Sequence, residues 1–194
     1  KINILYNYKQ AGNSTNKIVN YLDFDVPSTS FGVNTQIQEA GKLQSTEIDL
    51  AVRPDTGDVH LVYPSYNTTA EANQIELNYK IKGANTNSFS DGPDITGTFG
   101  TGLTSTIEFD LNNRAHILTR SLDGSGNDYG LLYFRNLADN SWELLFPDVP
   151  YQMHGLAANM VLDNNNRAHL TYVYDGKSWD DGNDDFLKYS RMGV

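Results

Sequence analysis

The 194-residue chain is 39% apolar and 20% charged, contains no cysteine and carries a net charge of −10. That length suits one domain with a buried core, and no run of apolar residues is long enough to span a bilayer. The missing cysteines exclude disulfides, zinc–thiolate sites and thiol nucleophiles, and the acidic balance leaves no basic stripe to neutralise a nucleic-acid backbone.

The first residues, "KINILYNY", alternate as a strand does and lack the charged and apolar regions of a signal peptide. "KIVNYLDF" follows as a second strand, and "TQIQEAG" as a weaker one. The pattern then recurs. "TEIDLAV" leads through a turn to "GDVHLVY", then "QIELNYKIKG", then "DITGTFG". "STIEFDL", "NNRAH", "GLLYFRN" and "SWELLFPDV" form the next set, and "ANMVL", "NNRAH" again and "DFLKYSR" the last. No segment has convincing helical periodicity.

Two anchors align these sets. The first is His60, His116 and His169, with Asn3 in its place at the N-terminus; the second is Tyr21, Tyr79, Tyr133 and Tyr189, seventeen to twenty residues downstream. The repeats run over about 1–44, 45–102, 103–155 and 156–194. Each reads as strands a, b, c and d, the His opening b and the Tyr lying in c. Four antiparallel strands per repeat at this length predict the blades of an all-β propeller, because one meander cannot bury both faces alone. A two-sheet sandwich is the alternative. The first copy lacks strand a and the fourth lacks strand d, so the expected architecture is three and a half to four blades, read as a segment of a larger ring or as one completed by blades of another chain.

The spacing Asp, short Asn or Gly turn, His, two apolar residues, Tyr, then Leu-x-Tyr resembles the sialidase-like, BNR-type propellers. Its carriers are Asp163, Asn165, His169, Tyr172, Leu187 and Tyr189 in the fourth copy, and Asp110, His116, Leu131, Tyr133 and Trp142 in the third. The chain has no Asp-box and no arginine triad, so the resemblance implies the fold and not sialidase activity.

Positions that recur in every copy report the core of a repeat. The histidines are therefore expected to pack between blades with a ring nitrogen on a backbone carbonyl, the tyrosines to fill the space between sheets, and Trp142 to be a blade-packing residue and not a ligand platform. Residues that do not recur are better functional candidates. The b-to-c and d-to-a connections share one face, which would carry Tyr8 to Asn16, Tyr66 to Asn73, Ser121 to Gly130, Tyr174 to Phe186 and His154. Trp179, Tyr129, Tyr174 and His154 are the expected ligand contacts, since an aromatic ring stacks on the apolar face of a sugar while carboxylates and amides bond its hydroxyls. Asp123, Asn127 and Asp128, and the denser group Asp175, Asp180, Asp181 and Asp184, present hard oxygen ligands suited to calcium, although turn chemistry alone also accounts for them.

These readings favour a non-catalytic module, extracellular or at the cell surface, that binds glycan or protein through its loop face and inserts in no membrane. A polysaccharide lyase or glycosidase is the alternative, with His154, Arg120 and Tyr129 as its candidate catalytic groups. A purely structural segment of a larger assembly is a third.

Overall fold

The structure is a computed structural model that describes residues 1–9, 17–38, 47–66, 75–95, 101–122, 128–147, 158–175 and 185–192. Within them the chain forms antiparallel sheets and no helix. The first sheet joins β1 (Ile2–Lys9) to β2 (Lys17–Asp25), whose far edge takes both β3 (Ser30–Phe31) and β4 (Thr35–Gln38). The second runs β5 (Asp49–Val52), β6 (Val59–Tyr66), β7 (Ile75–Lys82), β8 (Ser90–Asp91). The third runs β9 (Thr101–Phe109), β10 (Ala115–Leu122), β11 (Asp128–Asn136), β12 (Trp142–Leu145), and the fourth β13 (Ala158–Leu162), β14 (Ala168–Asp175), β15 (Asp185–Met192).

Consecutive meanders stack face to face, which is the arrangement of propeller blades. The period of two along each strand sends alternate side chains to opposite neighbours. In β6, Leu61 and Tyr63 pack with Val19 of the first sheet, whereas Val62 packs with Ile107, Ile117 and Phe134 of the third. In the third sheet, Ile117 faces back and Leu118 faces forward onto Met160, Leu170 and Tyr172 of the fourth. Each junction thus has its own apolar layer, at roughly 1.5–3 kcal/mol for each fully buried large side chain.

The tight turns on one face share a device. Gly57, Asn113, Asn140 and Asn166 have φ of 77°, 61°, 63° and 60°, each just before the residue that closes its hairpin. This left-handed residue following a turn matches the strand twist, and Gly and Asn tolerate it.

One strand assignment and several loop assignments differ from the sequence reading. The fourth strand of the second sheet is Ser90–Asp91, and of the "DITGTFG" segment the described residues, Asp94 and Ile95, are in no strand. Gly92 donates its N–H to Tyr79 O, and Pro93 has no N–H with which to continue the ladder. Tyr8, Tyr66, Asp128, Tyr129, Tyr174 and Asp175, read as loop residues, all lie within strands.

Candidate functional site

The recurrent His and Tyr form one unit in each sheet. In the third, the Asp110 carboxylate caps its own turn, accepting the N–H of Asn112 at 2.8 Å and of Arg114 at 2.9 Å, and Arg114 Nε at 2.8 Å. Burial acts to raise this carboxyl, but the Arg114 and Asn112 donors outweigh it and hold it below the usual carboxylate range. His116 Nε2 faces Asp110 Oδ2 at 3.4 Å without hydrogen-bond geometry, and its Nδ1 is bonded to Tyr133 Oη. With Nε2–H turned towards the carboxylate, Nδ1 accepts and the tyrosine donates. The fourth sheet repeats the unit: His169 Nε2 is 3.1 Å from Asp163 Oδ2 and its Nδ1 2.6 Å from Tyr189 Oη.

The other two sheets show which part is essential. In the first, Tyr21 Oη donates to Asn3 Oδ1 at 2.6 Å, so an amide oxygen takes the place of the imidazole acceptor. In the second, His60 Nδ1 is 2.5 Å from Tyr79 Oη, but the strand pairing puts Arg53, not an acid, where Asp110 stands, and the buried Nε2 has no hydrogen-bond partner among the described residues. Burial then dominates, and the His60 pKa falls to about 4, with Asp58 acting weakly against the fall. The invariant element is a tyrosine hydroxyl tying strand c to strand b. The expected backbone carbonyl partner of these histidines is therefore corrected to a tyrosine hydroxyl.

Three of the four units are closed off between sheets, with Tyr21, Tyr79 and Tyr133 at 1%, 7% and 2% exposure. Trp142, expected as a blade-packing residue, stands edge-on to Tyr79 of the neighbouring sheet at 5.8 Å. Tyr189 departs from the expected burial, at 61% exposure, with no described sheet against its face. The Asp–His–Tyr arrangement is shared by the buried third unit and the exposed fourth.

The opposite end of the sheets is chemically different. The b-to-c and d-to-a connections all leave from this end. Where β9 packs beside β5, the seam is polar: Asp49 Oδ2 accepts Thr106 Oγ1 at 2.8 Å and Ile107 N at 2.9 Å, and Ser105 Oγ donates to Glu47 O at 3.2 Å. Burial raises the Glu47 carboxyl, with the Thr104 hydroxyl and the Arg120 charge opposing, and burial together with Asp49 raises Glu108. Thr104 and Arg120 are buried. Sequence reading missed this seam, although "STEIDL" and "STIEFD" alternate polar with apolar residues in the manner of strands whose two faces meet different surroundings.

Of the expected site residues, Arg120 is on β10 at 5% exposure, so it is part of the packed interior. Tyr129 is in the neighbouring strand. The register runs Arg120↔Leu131, Ser121↔Gly130, then Leu122↔Asp128, leaving Tyr129 as the extra residue of a β-bulge beside Gly130 at φ 95°. Bulges of this kind re-aim side chains at the margins of sites. The backbone of Asp128 is paired with Leu122 at the start of β11. Tyr174 and Asp175 end β14, where Asp175 is the register partner of Asp185. Trp179, His154, Asp123, Asn127, Asp180, Asp181 and Asp184 lie outside the described residues. Among the described residues no group of His, Asp and Glu has the spacing to hold a metal ion.

No family model matches the chain, and no curated protein matches it. Among solved structures the chain is similar to a fucose lectin from Kordia zhangzhouensis in complex with methyl-fucoside, with a TM-score of 0.37 and 10% identity over 73% of this chain and 96% of that one.

Proposed function

We propose that this chain is a non-catalytic binding module, extracellular or at the cell surface, that takes a glycan through the face from which the b-to-c and d-to-a connections leave. One observation carries the reading: the repeated side chains are used up in the junctions between sheets, whereas the connections that differ in length and chemistry share one end. Tyr129, inserted by a bulge, lies at that end. Carboxylates and hydroxyls there suit a neutral, hydroxyl-rich ligand, and a chain of net charge −10 repels a polyanion. Trp179, Tyr174 and Tyr129 supply the stacking surfaces and His154 a further polar contact.

Calcium belongs to the same proposal. The register sets Asp175 opposite Asp185, and like charges at opposed positions are unfavourable unless screened. A divalent cation shared with Asp180, Asp181 and Asp184 relieves that repulsion.

A polysaccharide-degrading enzyme using His154, Arg120 and Tyr129 is the competing reading. The burial of Arg120 near Glu47 counts against it, because that guanidinium is poorly placed to neutralise a uronate in solution. A glycan array probed with and without calcium tests the proposal. Retention of a defined glycan, lost on Trp179→Ala, is the expected result; no retention in either condition sinks it, and release of oligosaccharide from a bound polysaccharide favours the enzyme.

A further inference from the structure

The outer edge of the second sheet stops short. β8 pairs Asp91 with Lys80 and Ser90 with Ile81, and Gly92 donates its N–H to Tyr79 O on the same edge of β7. Pro93 then has no N–H to offer. Backbone groups alternate along a strand, so Leu77, two residues before Tyr79, turns its own N–H and C=O to this edge. Leu77 is 8% exposed, and neither group has a hydrogen-bond partner among the described residues. A buried backbone pair left in this state is rare in a folded chain. Leu77 lines a cavity of about 190 Å³ between β7 and residues 91–94, with Glu76, Asn78, Asp91 and Asp94 around it.

The first sheet shows what fits such an edge. Val19 and Tyr21 of β2 stand where Leu77 and Tyr79 stand in β7, the pair in each case ending on the recurrent tyrosine. There β3 gives way to β4, and Thr35, Gln36 and Gln38 pair with Tyr21, Asn20 and Val19. An extended segment of the chain thus lies antiparallel along the positions that the second sheet leaves open, where Asp94 and Ile95 form no strand. The charge differs as well. β4 brings neutral glutamines, whereas Glu76, Asp91 and Asp94 line the cavity beside β7, Asp91 being paired with Lys80. Carboxylates at an open edge repel a second copy of a chain whose net charge is −10 and attract a basic strand.

We infer that β7 takes an extended basic peptide as an added strand, its backbone exchanging hydrogen bonds with Leu77 and its Lys or Arg side chains lying against Glu76 and Asp94. The two backbone bonds set the register and the carboxylates set the preference, as in other cases of strand addition to a sheet edge. An ammonium group alone donates to the Leu77 carbonyl but cannot accept from its N–H, so a peptide and not a free cation satisfies both. The site draws on none of the residues assigned to the glycan, and either reading can fail without the other.

Fluorescence anisotropy on the whole chain, with an end-capped, dye-labelled heptapeptide that alternates valine and lysine, tests this. Saturable binding is expected, with slower hydrogen exchange at the Leu77 amide in the complex. Glu76→Gln combined with Asp94→Asn, both at exposed positions, should remain folded by circular dichroism and weaken binding by about fivefold or more. The same peptide methylated at its backbone nitrogens keeps its charge and should not bind. No binding at any soluble concentration overturns the proposal. So does equal binding of the methylated peptide, or of one with glutamate in place of lysine. Binding that leaves exchange at Leu77 unchanged, or that survives both substitutions undiminished, overturns it too.

Discussion

Tyr133 Oη and Tyr189 Oη make the same bond to a histidine Nδ1, yet only the first is buried. A buried acceptor that loses its donor bears its full desolvation penalty, whereas an exposed one turns to water. Tyr133→Phe should therefore cost about 1–3 kcal/mol in urea unfolding, and Tyr189→Phe less than about 0.5 kcal/mol. Equal costs would show that the hydroxyl is not what ties strand c to strand b. His60 makes a pH prediction. Its folded pKa, about 4, lies below the unfolded value of 6.5, so between these limits the unfolded state binds the extra proton. The stabilisation is whole above pH 6.5 and declines as pH falls towards 4, by about 3 kcal/mol in total. Unfolding free energies at pH 7 and pH 5 should differ in that sense. In the double variant His60→Leu with Tyr79→Phe, which removes both polar partners, the difference should shrink; an unchanged difference assigns it to other groups.

At the scale of elements, the hairpin turns depend on one left-handed residue. Asn113→Gly should leave stability nearly unchanged, while Asn113→Ala should cost about 1 kcal/mol, since a Cβ without a compensating local hydrogen bond is strained at φ 61°. Thermal melts of the two variants check this. The repeat itself was legible in the sequence because junction residues must recur: a His–Tyr pair ties three of the meanders and Asn3 with Tyr21 the first, so "NNRAH" and the spaced tyrosines mark the strands that carry them. The fourth strand of the second sheet was misplaced because "DITGTFG" alternates as a strand does, while the ladder is decided upstream by Gly92 and Pro93. The polar seam of Asp49, Thr106 and Glu47 was present as alternation, but alternation alone does not tell a solvent-facing side from one that meets another strand. Nor does equivalence in sequence reveal whether a neighbour is present, which is why Tyr189 was expected to be buried and is not.

For the whole molecule, two roles separate by position. Side chains between the sheets hold the stack, and under the proposed function the connections at one end meet the ligand. Substitutions at Tyr133 or His116 should change stability without changing which glycan is retained, and changes at Trp179 should do the reverse. The most direct measurement is a calorimetric titration of the best glycan from the array into the unmodified chain, Trp179→Ala and Tyr189→Phe. The account predicts a heat of binding for the unmodified chain and for Tyr189→Phe, and none for a folded Trp179→Ala. Binding that persists in Trp179→Ala but vanishes in Tyr189→Phe would contradict it, placing the ligand on the sheet face and not on the connections.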